Sequence, residues 1–292
     1  MAKRATPLGK VNKHPFDGER VYLGTKHNKE IALAPHFQKI GMRCETVEID
    51  TDEFGTFTGE VERTGSVKDT LRKKIQAVLK TKPDARFVLA SEGSFGPHPF
   101  IGFIQSAHEV LLFFDKQTGL EVFAEELSTE TNHDEIEFGP KDDLQSFLDR
   151  VGFPTHGIIA RPKGISSQAF KGLTDWQKVG QAIIDCFLNS KETKVVLSTD
   201  MRASFNPTRM SIISKAGEKL LARLTSFCPS CSVIGFGPVK GVKGLPCSDC
   251  GLATQVVKEI IHSCLSCKFE ASHDREDGLK FANPAECEFC NP

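Results

Sequence analysis

Arg86-Phe87-Val88-Leu89-Ala90-Ser91-Glu92-Gly93-Ser94-Phe95-Gly96-Pro97-His98 is the stretch on which the fold turns. It opens with a short, mostly apolar run and continues in turn-forming residues. That pattern predicts a buried strand over 86–90 ending in a turn over 91–98. The C-terminal end of such a strand is where open α/β sheets place their ligands. The turn would present a carboxylate (Glu92), two hydroxyls, two glycines and the imidazole of His98. A glycine-rich surface turn with a solvated Glu92 fits the same residues.

Upstream, Arg20–Leu23 reads as a first strand, 31–40 as a helix and Cys44–Ile49 as an alternating second strand. An acidic, hydroxyl-rich loop, Asp50–Glu60, leads to a helix over 67–81 with Leu71, Ile75, Val78 and Leu79 at helical spacing. Lys73 points away from that stripe, while Lys74 lies at its edge, able to reach round into a neighbouring cleft. Downstream, Glu109–Asp115 and Leu120–Phe123 flank Gln117-Thr118-Gly119 as a hairpin. Residues 125–150 read as an acidic loop closing in a helical piece at Leu144–Val151. Strands at His156–Ala160 and Lys194–Ser198 enclose an amphipathic helix through Trp176, Val179, Ile183 and Phe187.

The next helix has Asn206 as N-cap and Pro207 at its first position, and runs through Ile212, Ala216, Leu220 and Leu224. Arg202 just before it and Arg209 in its first turn would make an anion site with the helix N-terminus, unless each pairs with a nearby carboxylate. Strands alternating with helices predict a mixed-sheet α/β domain over 20–226, after a basic tail over 1–19.

The totals exclude several classes. Charge is near balance, with 37 Lys+Arg against 38 Asp+Glu, so bulk field makes no polyanion binder of the 292-residue chain. No apolar run reaches the roughly 18 residues of a membrane span, and the basic start lacks the apolar core of a secretory signal. Ten cysteines without such a signal point to metal in a reducing, cytoplasmic setting rather than to disulfides.

Eight of the ten fall after residue 227 as four C-x-x-C pairs: Cys228/Cys231, Cys247/Cys250, Cys264/Cys267 and Cys287/Cys290. Two such knuckles complete a tetrahedron round one ion, so the spacing predicts a double zinc ribbon over 227–292 with two structural zinc sites of four cysteines each. Sequential pairing gives comfortable hairpin lengths; a nested pairing, inner four against outer four, is the alternative. Six Lys/Arg stand against eight Asp/Glu from 228 to 292, and eight thiolates on two zinc ions make the module more acidic still. That charge speaks against nucleic acid and for a fold-stabilising cap or a protein-docking module. Cys44 and Cys186 read as core residues.

Asp50-Thr51-Asp52, Phe54–Glu60, Ala90–His98, Thr199–Ala203, Asn206–Met210 and the eight cysteines together resemble a bacterial domain-of-unknown-function family, number 6671. That resemblance brings no activity with it. From Tyr22 to about Phe123 the order of elements is also similar to the inosine/xanthosine triphosphate pyrophosphatases. Their T-x-N-x-x-K turn is met in part by Thr25 and Lys29, without the Asn or the spacing. Their helix carrying E-N-A-x-x-K-A corresponds to Asp69–Ile75, placing Lys74 at a phosphate-contacting lysine. Their strand-end motif corresponds to Ala90–Phe95, placing Glu92 at a metal-binding carboxylate.

That second resemblance implies a magnesium-dependent hydrolysis of a nucleotide or another phosphorylated small molecule. Glu92 would hold Mg²⁺, with Asp50 or Asp52 as second carboxylate or base. Lys29, Lys74, Arg202 and Arg209 would neutralise phosphate; Thr25, Thr56 and Thr58 would donate hydroxyls; His98 or His27 would assist. Asp115 reads as a turn former. The competing class is a non-enzymatic ligand-binding or sensor domain whose cysteine module docks a protein. No Walker A, G-x-G-x-x-G, H-E-x-x-H or G-x-S-x-G motif occurs in the chain.

Overall fold

The computed structural model describes residues 14–54, 65–165, 168–190, 192 and 194–292. The chain divides into two compact units, Met1–Gly119 with Phe123–Lys219, and Leu120–Val122 with Leu220–Pro292.

Two sheets lie mainly in the first unit. The larger contains β1 (Arg20–Gly24), β2 (Arg43–Val47), β3 (Phe87–Pro97), β4 (Gln105–Asp115) and β5 (Leu120–Ser128), in the order β2-β1-β3-β4-β5. β1 runs parallel to both β2 and β3, and β4 runs antiparallel to β3. The sheet is therefore mixed, as the alternation of strands and helices predicts. Helix α1 (Glu30–Gln38) joins β1 to β2, and α2 (Val67–Thr81) joins β2 to β3.

Local chemistry starts α2. Ser66 and Asp69 form a reciprocal capping box, each side chain accepting the other's backbone N–H. Its stripe of Leu71, Ile75 and Val78 then packs on Val88, Ala90, Val110 and Leu112. Alternate strand residues face the other way, where Phe37 of α1 stacks on Phe113 and Phe113 on Phe87. Helix α5 (Pro207–Leu224) lies on that α1 face, with Ser214 Oγ 2.9 Å from His36 Nε2.

The smaller sheet is antiparallel, β6 (Glu135–Phe138), β9 (Val195–Thr199), β7 (Ile158–Pro162) and β8 (Phe170–Leu173) in that order. Helices α3 (Leu144–Val151) and α4 (Trp176–Asn189) cover it, burying Phe147, Leu148, Val179 and Ile183 with Ile158 and Leu197.

Two expectations need correction. The turn expected over 91–98 is the second half of β3, since Ser91–Pro97 pair residue by residue with Leu111–Gln105. The chain turns only after Pro97, where His98 N–H donates to Ile104 O at 2.7 Å. The acidic loop expected after 125 contains the end of β5 and the whole of β6. Glu135 and Glu137 lie on the outer face of β6, paired with Arg161 at 3.1 Å and with Lys163 and Lys194 at 3.2 Å.

The second unit is a three-stranded antiparallel meander, β10 (Gly237–Lys243), β11 (Val257–Ser263) and β12 (Glu270–Asp274). Its own buried cluster is small, Phe236 with Cys228 and Cys264. So small an apolar core calls for a further constraint, which in such modules is often metal.

Candidate functional site

Two places gather chemistry, one in each unit. In the second unit the eight cysteines form two tetrads: Cys228, Cys231, Cys264 and Cys267, and Cys247, Cys250, Cys287 and Cys290. The pairing is thus neither sequential nor nested; the knuckles interleave. The hairpin register is the reason. Gly237 pairs with Ser263, so the chain entering β10 meets the chain leaving β11, and their knuckles meet at that end. The last knuckle arrives beside the β10–β11 loop, where Ala282 N–H donates to Pro246 O at 2.8 Å and Ser248 N–H to Ala282 O at 3.1 Å.

The tetrads fit zinc. Four sulfurs about 2.3 Å from a tetrahedral Zn²⁺ lie about 3.8 Å apart. Cross-knuckle Sγ–Sγ separations are 3.7 and 3.6 Å in the first tetrad and 3.9 and 3.6 Å in the second. Backbone N–H groups point at the sulfurs, Ser230 at Cys228, Ser266 and Cys267 at Cys264, Asp249 at Cys247. Such donors favour thiolate. Those of Cys290 and Phe289 lower the Cys287 thiol to about 7, while the adjoining Cys250 thiol pushes Cys290 up to about 12. Thiols this close cannot all ionise without a cation among them. Four sulfurs would close each site round an ion and leave no open position for substrate, the pattern of structural rather than catalytic zinc.

The second place lies where the large sheet changes direction. From β1 the chain passes through α1 to β2 on one side, then through α2 to β3 on the other. That is a topological switch point, where open α/β sheets bind ligands at their strands' C-terminal ends. β1 pairs with β3 only as far as Leu23 with Leu89. Thr25 then bends toward β2, its N–H donating to Val47 O at 3.1 Å. Two lysines fill the gap that β1 leaves along β3. Lys74 of α2 donates to Ser91 O at 3.0 Å and forms an ion pair with Glu92, both side chains being largely buried. Lys29, at the start of α1, donates to Ser91 Oγ at 2.8 Å.

On the α1 face, Arg209 of α5 comes down onto β4. Its Nε donates to Glu109 Oε1 at 2.6 Å and its Nη1 to Met201 O. The two side chains are 1% and 0% exposed. Asn206 holds the arginine's helix turn as N-cap, its Oδ1 accepting from Arg209 N–H at 2.9 Å. Gly93 makes room for the pair, because a Cβ there would come within 2.6 Å of Arg209 Nη2. The guanidinium stands over the Phe95 ring at 5.0 Å. Glu109 Oε2 is buried with no hydrogen-bond partner among the described residues.

Among the described residues, three cations thus share a buried cluster with two carboxylates. Lys74 answers Glu92, Arg209 answers Glu109, and Lys29 is the surplus. Burial, then the neighbouring charges of Arg209 and Lys74, lower Lys29 to about 7 against the weaker pull of Glu109 and Glu92. An unfolded lysine titrates near 10.4. Between those values the unfolded chain binds one proton more, so stability rises with pH across that window, and the penalty of charging Lys29 is at full size below pH 7. Lys29→Met should remove that rise, about 1.4 kcal/mol per pH unit. Urea titrations between pH 7 and 9, followed on Trp176, the single tryptophan, check it: parallel curves for wild type and variant would show Lys29 titrating as an ordinary lysine.

Of the residues picked from the sequence, Lys29, Lys74, Glu92 and Arg209 come together here. Thr25 is buried beside the end of β1 and accepts from His27 N–H at 3.2 Å. Asp50 does not join them; it is exposed and takes Lys26 at 2.8 Å. The side chain of Asp52, and Thr56 and Thr58 altogether, lie outside the described residues. Arg202 pairs with the fully buried Asp200 at 2.5 Å, so the two arginines near the α5 N-terminus each engage a carboxylate. His98 caps its own turn, accepting from Phe100 and Ile101 N–H at 3.2 Å. Asp115 pairs with Arg86 and accepts Gln117 N–H, a turn former. Glu109 escapes the reading of the sequence. Its signal there is an acid in phase with Ala107, Leu111 and Phe113, in the middle of a strand face whose other polar residues, Gln105 and Asp115, stand at its ends.

No helix of the described residues is long and apolar enough to cross a membrane. No curated protein matches the chain. Among solved structures, the crystal structure of protein VC0702 from Vibrio cholerae is similar over 70% of this chain and 93% of its own, at 10% identity and a TM-score of 0.33. So loose a likeness carries no argument about either unit. The family described as a domain of unknown function, DUF6671, matches residues 73–292, which span both cysteine tetrads, Lys74, Glu92, Glu109 and Arg209. The chain belongs to the DUF6671 family.

Proposed function

We propose that the first unit binds the phosphate end of a nucleotide, or of a similar phosphorylated small molecule, at Lys29, Lys74 and Arg209, and that the second unit is held together by two structural zinc ions. The surplus cation at the switch point is the observation that carries the first half. Three buried cationic side chains stand against two carboxylates there, so a charged Lys29 is short of one anion, and phosphate is an anion such clusters take. A groove of about 640 Å³ lined by Ser94, Phe95, Phe100, His108 and Leu127 offers room for the rest of a ligand. Ser94 is two residues along β3 from Glu92, on the same face.

The arrangement favours binding over magnesium-dependent hydrolysis. Glu92 is held by Lys74, and among the described residues the cysteine tetrads are the only clusters of three or more metal-ligating side chains. Protein docking through the acidic zinc module accompanies this reading as the role of the second unit toward partners.

Calorimetric titration with inorganic phosphate, pyrophosphate and a nucleotide panel tests the proposal. Binding should be lost in Lys29→Ala and weakened at least tenfold in Lys74→Ala, each removing a point charge on phosphate. Equal affinity in wild type and Lys29→Ala would defeat it. Phosphate or pyrophosphate release with Mg²⁺ that disappears in Glu92→Gln would instead make the unit a hydrolase.

A further inference from the structure

We propose that the cluster takes its anion together with a proton: Lys29 is a neutral amine when the site is empty and an ammonium when a doubly charged phosphoryl or sulfate group occupies it. The inference rests on the anion-binding reading above and adds to it the ligand's charge and its dependence on pH.

The pairing of charges in the cluster carries the coupling. The charged groups facing Lys29 are Lys74 from α2, Glu92 from β3, Glu109 from β4 and Arg209 from α5. Lys74 forms an ion pair with Glu92, and Arg209 forms one with Glu109, so the four leave no net charge for a fifth group to answer. A charged Lys29 is then one cation too many in a place where it is only 6% exposed. The neutral amine keeps its hydrogen bond to Ser91 Oγ, which the hydroxyl can complete in either sense. Its titration near pH 7 agrees with that balance. A dianion entering the cluster supplies the counter-charge that a protonated Lys29 lacks, and the amine's lone pair takes up a proton to meet it. No bond other than N–H forms, and the solvent buffer supplies the proton.

Sulfate is the probe of choice, because it carries no proton of its own between pH 6 and 9; inorganic phosphate is the second. Calorimetry of each anion in two buffers of different ionisation enthalpy counts the protons taken up. Close to one proton per sulfate is expected at pH 8 and close to none at pH 6. The affinity should fall about tenfold per pH unit above 7, as linkage requires of a site that must protonate to bind. Lys29→Arg, whose guanidinium stays charged, should bind sulfate with no proton uptake and a flat pH profile. Should that variant fail to fold, the ¹³Cε resonance of Lys29 in the wild type supplies the second readout. It should titrate near pH 7 without sulfate and several units higher with it. Sulfate binding at pH 8 without proton uptake, or a Lys29 resonance unmoved by sulfate, overturns this inference and leaves the anion site standing. No binding of either anion overturns both.

Discussion

Protein carrying Ser at both Cys228 and Cys264 should retain at most one zinc ion, whereas protein carrying Ser at Cys228 and Cys247 should retain none. Wild type should hold two. The contrast follows from interleaving. Cys228 and Cys264 share a tetrad, while Cys228 and Cys247 belong to different ones. Sequential pairing would reverse the result, since Cys228 and Cys247 would then share an ion. Elemental analysis of purified variants reads the outcome directly, and one zinc kept by the Cys228/Cys247 variant would refute the interleaved arrangement.

The stability effect should be among the largest in the molecule. Metal binding in such modules is itself folding free energy, on the order of 10 kcal/mol per site. The buried cluster at the first tetrad has little else, with Phe236 its one large apolar side chain. Loss of the first tetrad also releases both ends of the β10–β11 hairpin at Gly237 and Ser263. Its effect should therefore spread through β11 to β12 as broad loss of amide protection in the second unit.

What could be read from the letters was local, and what could not was set by distant partners. Helix α2 announces itself through Ser66, Asp69 and a three-to-four spacing of apolar residues, and α3 through Asp143 and the left-handed Gly152 that ends it. The second half of β3 does not. Ser91, Glu92 and Gly93 are turn formers by propensity, and they become strand because β4 pairs with them and buried lysines satisfy their polar groups. β6 is hidden for a similar reason, its two glutamates being answered by basic residues of β7, of the turn after β7 and of the approach to β9. The cysteine spacings show that four knuckles exist, but intervals of 15, 13 and 19 residues are open to several pairings. Which knuckle meets which depends on strand register, a long-range property. Lys29, Glu92 and Arg209 could be picked out as charged residues near element ends, and Lys74 at the edge of a helix's apolar stripe; the charge balance among them could not, because it needed Glu109.

Arg209→Met should destabilise the first unit by about 3–5 kcal/mol, the usual penalty for breaking a buried ion pair on one side. The loss leaves the Glu109 carboxylate, 0% exposed, with neither oxygen paired, since Oε2 already lacks a partner among the described residues and Oε1 depends on Arg209 Nε. Met201 O loses a donor as well. Against a total stability of some 5–15 kcal/mol, that is a large share. Removing both charges should be milder. Arg209→Met with Glu109→Leu takes the unpaired carboxylate away, and similar volumes refill the space under Phe95, so the double variant should recover most of the loss. Urea unfolding of the four proteins of this cycle, followed on Trp176, gives the coupling energy. The single change also has a signature at Lys29. Arg209 is the largest charge lowering that lysine after burial itself, so its removal beside an intact Glu109 should move Lys29 up toward the ordinary lysine range. Additive losses in the cycle, with Lys29 still titrating near 7 in Arg209→Met, would mean that Arg209 and Glu109 are merely neighbours and that the cluster is not electrically one unit.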